Sequence, residues 1–551
     1  MTMKATFTEP VTAVLDDAHI GHIRGAFGTI LQDDIAPRTT WKHRLTTLLA
    51  ILGPGLIVMV GDNDAGAFAT YGQAGQNYGT TLLWTLALLI PVLYVNQEMV
   101  LRLGAVTGVG HARLIFARFG KFWGAFSVID LFLLNSLTIV TEFIGISLAL
   151  DYLGLDKTLG VIVSAALVMI AVSTGDFRRF ERFAMVLVGA SLLLVPLYFM
   201  VHPPLAQVAR DFVVPQMPQD GKLADVMLLV IGIVGTTVAP WQLFFQQSYV
   251  IDKRITPRFI KYERLDLWIG IALVIVGAVA IMAFTAATFA GRTEFGNFTD
   301  AGGIAAGLDK YVGKAAGAMF AIALIDAALI GASAVSLSTA YAIGDTFSAR
   351  HSLHRKVTDA KGFYAVYCAL IVVAAAVVLT PGSPLGLMTL AVQVLAGVLL
   401  PSATVFLLLL CNDKPVLGPW ANTRWLNYFT GAVIAALVIL SVILTVSVLF
   451  PGATNEQVIL GILGGGGVIA VIVALVIMAV SQTGGNGAPT EVPAAAAISR
   501  HAWRMPPLDQ LPPAKLSLAA KTWMGVLRLY LVVAGGMVLF RIVMLAIGQQ
   551  G

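Results

Sequence analysis

Charge is what this chain has least of. Only 12% of its 551 residues are Asp, Glu, Lys or Arg, where an ordinary soluble protein carries about 25%. Cysteine is scarcer still. Cys368 and Cys411 stand far apart in apolar stretches, which excludes a disulfide framework and any Cys-based metal spacing. No His-Glu-x-x-His, Gly-x-Ser-x-Gly or Ser–Lys arrangement accompanies a membrane acid, so the motifs of an intramembrane enzyme are missing and no enzymatic activity is expected. The first 45 residues lack the apolar core of a cleavable signal and are expected to form a cytoplasmic tail. What is present is apolar: 58% of residues are hydrophobic and the mean hydropathy is +0.85, the composition of a polytopic membrane protein. The net charge of +5 calls for no nucleic acid, because membrane proteins gather Lys and Arg on their cytoplasmic face.

A spanning helix needs about 20 apolar residues. Candidate spans lie near 47–72, 80–101, 123–150, 157–174, 183–201, 224–249, 266–290, 315–344, 363–381, 386–411, 427–450 and 457–481. A further apolar stretch, 525–547, contains Arg528 and Arg541 and follows a Pro-, Ala- and Gly-rich linker over 482–520. Within the terminal segment 521–551 it either spans or lies at the interface. The even-numbered connections carry most of the basic residues, among them Arg102, Arg113, Arg118, Lys121, Arg178, Arg179, Arg182, Lys253, Arg254, Arg258, Lys261, Arg264, Arg350, Arg355, Lys356, Lys361, Lys414 and Arg424. The opposite connections hold only Lys157, Arg210, Lys222, Arg292, Lys310 and Lys314. That bias puts the N-terminus inside.

Apart from Lys157 at the very edge of the fourth, no Lys or Arg falls within these twelve spans, yet Asp62, Asp64, Glu98, Asp130, Glu142 and Asp326 do. Ionisable groups at membrane depth are costly and mark function by default, and acids without bases suit a cation path. Blander readings stand beside this one. Glu98 can pair with Arg102 four residues on, and Asp130 and Asp326 can serve as interhelical contacts. A lone proline kink such as Pro240 is common in membrane helices.

Two spans are interrupted. One reads Gly53-Pro54-Gly55 and then Gly61-Asp62-Asn63-Asp64-Ala65-Gly66; the other reads Gly235-Thr236-Thr237-Val238-Ala239-Pro240-Trp241-Gln242. Unwound backbone at membrane depth is tolerable only where it lines a cavity or binds something, and paired breaks in two halves point to a midplane ion site. Asp64 sits among small residues that let an ion approach. Pro240 has no N–H to return to Thr236, which frees carbonyls around Thr236 and Thr237. A carboxylate, carbonyls, Gln242 and waters make a hard oxygen site of the kind Mg²⁺ or Mn²⁺ prefers. No His, Cys or Met stands at either break.

These segments resemble the NRAMP family of divalent-metal transporters from about residue 47 to 480. Asp64-Ala65-Gly66-Ala67 stands where the family has Asp-Pro-Gly-Asn, and Ala239-Pro240-Trp241-Gln242 where it has Met-Pro-His-Asn. Arg102–Gly108, Thr141–Gly145 and Gln393 to Pro401 are further matches in order. The resemblance implies an all-α, LeuT-like fold with two inverted five-helix repeats, about 46–202 and 223–411, and extra spans over 427–481. It implies Asp64 as the retained carboxylate ligand, backbone oxygens from Thr236 or Thr237, an amide oxygen from Gln393, and Glu142 as a second acid. Gly61, Pro240 and Trp241 are expected to gate or line the path. The family's amide ligand has become Ala67, its thioether Ala239, and its sixth-helix imidazole Trp241; Ile139 replaces one of its acids. Losing the thioether removes preference for softer metals, a pattern similar to the branch of NRAMP-related magnesium transporters. The expectation is a secondary transporter in a bacterial inner membrane importing Mg²⁺, and Mn²⁺ with it, through a partly hydrated site without proton coupling. No cofactor and no obligate protein partner are expected, only the metal ion and the bilayer. The alternatives are a proton-coupled Mn²⁺/Fe²⁺ importer with a reorganised site and a cation channel, although no filter loop supports the latter.

Overall fold

The computed structural model describes residues 17–218, 221–381, 385–450, 454–483, 500, 501, 503–514 and scattered positions between 524 and 536. Linker residues 484–499 and most of the stretch 525–547 lie outside the described residues. The chain begins with a hairpin of β1 (Ile23–Gly25) and β2 (Gly28–Ile30), in which Ile23 pairs with Ile30. The first half then runs through α1 (Trp41–Ile51), α2 (Pro54–Gly61), α3 (Ala65–Tyr78), α4 (Leu83–Thr107), α5 (His111–Phe119), α6 (Lys121–Tyr152), α7 (Lys157–Val172), α8 (Phe177–Ala190), α9 (Leu194–Val201) and α10 (Leu205–Val213). The second comprises α11 (Leu223–Thr237), α12 (Pro240–Asp252), α13 (Ile260–Phe289), α14 (Ala301–Tyr311), α15 (Lys314–Thr346), α16 (Lys361–Val378) and α17 (Leu385–Asn412). The short α18 (Lys414–Leu417) leads to α19 (Arg424–Leu449) and α20 (Glu456–Thr483).

Among the described residues ten helices are long and apolar enough to cross a membrane, with the bent pair α1–α2 as an eleventh. The apolar α7 is shorter. Burial sorts them into centre and rim. In α15, 78% of the apolar window is buried inside the protein, against 6% in α20; the first is a core helix, and the second lies exposed at the rim of the described residues.

Three features refine the sequence expectation. The first span, read as interrupted at Gly53-Pro54-Gly55 and again from Gly61 to Gly66, falls into three helical pieces. A 50° bend separates α1 from α2 at Gly53, whose φ of +157° suits glycine, and Pro54 opens α2 where a missing N–H costs nothing. Second, α4 continues past 101 to Thr107, so Arg102 lies within a helix rather than after it. It is tolerated there because Glu98 stands 3.1 Å away and Asn422 Oδ1 accepts at 2.7 Å. Arg264 also reaches Glu98, at 2.5 Å. Third, the segment expected to be a tail is structured from Asp17. The hairpin packs on α1 and α8, and arginines hold its carbonyls. Arg178 Nε donates to Gly25 O at 3.0 Å, Arg182 Nε to Ala26 O at 3.2 Å, and Arg254 Nη2 to Ala18 O at 2.7 Å. Basic residues that the sequence explains by topology alone here also fasten the N-terminal segment.

The two broken helices meet at the centre. Gly235 on α11 lies so close to α17 that a Cβ there would stand 2.6 Å from Gly397 N, an approach open only to glycine. A Cβ on Gly61 would lie 3.7 Å from Trp241 Cη2, so the end of α2 rests on the start of α12.

Candidate metal site

Asp62, Asn63 and Asp64 form the gap between α2 and α3, and Val238 and Ala239 the gap between α11 and α12. Asp64 caps α3: its Oδ1 accepts from Ala67 N at 2.8 Å, satisfying one of the amides a helix start leaves unpaired. The next free amide, Ala65 N, donates to Glu142 Oε2 on α6 at 3.1 Å. Both acids thus stand at the N-terminus of α3, where the helix dipole favours negative charge. The two acids stand side by side, each accepting from one of the first amides of α3, and Glu142 Oε1 has no partner. Glu142 fits because α15 offers Gly331 beneath it; a Cβ there would sit 2.7 Å from Glu142 Cδ. From α17, the Gln393 amide covers Gly66, where a Cβ would lie 2.6 Å from Gln393 Cδ and 3.2 Å from Asp64 Oδ1. Gln393 Nε2 is buried without a partner.

The structure therefore brings together Asp64, Glu142, Gln393 and the Ala67 backbone. It treats the other expected residues differently. The backbone oxygen expected of Thr237 accepts from Gln242 Nε2 at 3.4 Å, while its Oγ1 donates to Ile233 O at 2.6 Å and meets Tyr71 Oη at 2.7 Å. Thr236 Oγ1 is buried with no partner. Ala239 precedes Pro240, the first residue of α12, and its carbonyl accepts from Gln242 N at 3.2 Å. Trp241 is buried, its carbonyl accepting from Ser338 Oγ at 2.9 Å. Gln242 turns to Asp62 rather than Asp64, donating through Nε2 to Asp62 Oδ1, and its Oε1 accepts from Gln97 Nε2 at 2.8 Å. Sequence reading placed Asp62 among the buried acids but did not see this connection. The signal was available in two acids one residue apart across an unwound turn, whereas nothing in the sequence singled out Gln97.

Asp326 Oδ2 accepts from Ser191 Oγ at 3.1 Å, an interhelical contact of the kind the sequence allows. Glu98 pairs with Arg102 as its spacing suggests. Among the described residues no three His, Cys, Asp or Glu side chains converge as a metal cluster. Any ion here would be held by mixed carboxylate, amide and backbone oxygens. The roomy site expected from the sequence is tight in this conformation: Asp64 and Gln393 are 3% and 4% exposed, and the adjoining cavity beside Ala65, Thr141 and Asp300, of about 10 Å³, has room for roughly one water.

Residues 55–447 match the profile described as natural resistance-associated macrophage protein-like. The divalent metal cation transporter MntH of Latilactobacillus sakei is 28% identical over 427 residues, covering 73% of this chain and 90% of that protein. The protein of the same description from Deinococcus radiodurans is 27% identical over 440 residues, covering 76% and 93%. Among solved structures, the Eremococcus coleocola manganese transporter superposes with a TM-score of 0.60 at 20% identity, over 81% of this chain and 97% of that one. This likeness shows the fold, which is LeuT-like.

Proposed function

The chain belongs to the natural resistance-associated macrophage protein-like family, and from that premise we propose that it imports divalent cations by alternating access, taking Mg²⁺ and also Mn²⁺, without coupling to protons. The family is one of transporters, not enzymes. One observation carries the choice of cargo: two buried carboxylates and an amide converge at the break, and alanine stands where a thioether or a second amide would add a softer or stiffer ligand. A dication matches the charge of the Asp64–Glu142 pair, and a set of oxygens alone favours hard ions. Basic residues at the hairpin end support placing the N-terminus in the cytoplasm of a bacterial inner membrane. Inward movement of a dication down an inside-negative potential then gains about 4.6 kcal/mol per 100 mV, enough to drive uptake alone.

A second reading, proton-coupled Mn²⁺/Fe²⁺ import, is favoured by the two acids standing side by side at the start of α3, because two acids that close share a proton when no cation is present. Purified protein in liposomes, carrying a potential and a lumenal pH indicator, separates the two. The proposal expects potential-driven Mn²⁺ uptake with no change in lumenal pH. Uptake that acidifies the lumen and stops without an inward proton gradient would replace it with the second reading.

A further inference from the structure

Asp62 has no role in the site built around Asp64, yet it is one of the most isolated acids in the protein. It is 0% exposed, as are Gln97 and Gln242. The charged group it feels is another acid, Asp64. Its Oδ1 accepts from Gln242 Nε2 and its Oδ2 has no partner. A carboxylate only accepts, so Gln242 must turn its NH₂ towards Asp62 and its Oε1 away. That Oε1 accepts from Gln97 Nε2 at 2.8 Å, which in turn leaves Gln97 Oε1 buried with no donor. The polarity of the whole row is thus set by the acid at its head, and it ends in an orphan acceptor. Gln242 Nε2 also lies 3.4 Å from the Thr237 carbonyl at the second break.

We propose that Asp62 is a second station for the divalent cation, on the α2 side of Asp64, and that the Gln242 amide occupies its place when the station is empty. The station rests on the reading of the protein as a cation carrier. When the cation arrives at Asp62 Oδ2, the amides of Gln242 and Gln97 rotate together. Gln242 Oε1 then faces the ion, and its Nε2 donates to Gln97 Oε1. The same rotation removes the donor now beside Thr237 O, which becomes a third oxygen for the ion. The ligands are a carboxylate, an amide oxygen and a backbone carbonyl, all hard donors. The rotation breaks bonds that it replaces, so the empty and loaded arrangements stay close in energy, as a transient station requires. Asp62 ends α2 and Asp64 begins α3, so the ion passes inward from Asp64 to Asp62 across one turn of unwound chain.

The test is Mn²⁺ uptake by full-length protein in liposomes, with the rate normalised to monodisperse protein. Asp62→Asn is expected to lower the maximal rate about tenfold or more while the half-saturating external Mn²⁺ moves by less than about threefold, because loading at Asp64 precedes it. Asp62→Glu, which keeps the carboxylate, should recover most of that rate. Gln242→Leu, which removes the amide but leaves Asp62, should also slow the maximal rate, and it serves should Asp62→Asn not fold. An Asp62→Asn rate within about twofold of wild type, or a half-saturation shift as large as that of Asp64→Ala, overturns the station. Absence of Mn²⁺ uptake by the wild type would instead overturn the carrier reading on which it rests.

Discussion

Position 239 is where a single side chain carries most of the selectivity argument. Ala239 caps the start of α12 beside Pro240 and offers a site only its backbone. Ala239→Met restores a soft thioether at that point, and transport is expected to shift from Mg²⁺ towards Mn²⁺ and Cd²⁺ by at least severalfold in competition assays. Unchanged selectivity would mean that position 239 does not face the ion. How legible such residues were depended on whether their chemistry was local. Asp64 stands out in the sequence because a carboxylate falls inside a glycine-rich break, and its capping of Ala67 follows from local geometry. Gln242 was expected beside Asp64, whereas its amide donates to Asp62, a choice between two neighbouring acids that the sequence does not mark. Gln97 and Gly331 were invisible because their importance lies in what packs against them from other helices.

At the scale of elements, the sequence showed where helices stop better than what holds their ends. Both breaks and nearly every span were legible from apolar length, glycine and proline. The structured N-terminal hairpin was not, because its anchors are arginines donating to backbone carbonyls, which have no sequence signature. Near this hairpin the connection 347–360 holds a group whose charge is tied to packing. Burial works against the charge of His351, but the Asp345 carboxylate, 3.1 Å from Nε2, outweighs it and holds the imidazole up at about 9. Its other close neighbours are the His19 ring at 5.8 Å and that of Tyr341 at 6.1 Å, with Asp252 also adding to the shift. A raised value in the folded state means that the pairing stabilises fully below about 6.5 and is lost as pH rises through about 9. The thermal midpoint in detergent should therefore fall between these pH values, and His351→Gln should flatten that segment of the profile. A decline of equal size in the variant would show that another group is responsible.

The whole molecule is a membrane bundle in which the acids of the first break, Asp62 and Asp64, stand with Glu142 of α6 at the start of α3. Its class followed from composition. Its LeuT-like fold was what the resemblance of the two breaks and the segments around them to the NRAMP family implied, and the structural likeness bears it out. The burial of Asp64 and Gln393 was not written in the sequence, since it depends on how helices from both halves close together. The claim that joins these scales is that hard oxygens alone select the cargo. Competitive uptake into liposomes at fixed inside-negative potential tests it most directly, with Mn²⁺ as the reported ion and Mg²⁺ or Ca²⁺ added in excess. Mg²⁺ is predicted to suppress Mn²⁺ uptake and to be carried itself when supplied alone. Mn²⁺ uptake that proceeds undiminished in a large excess of Mg²⁺ would contradict the account.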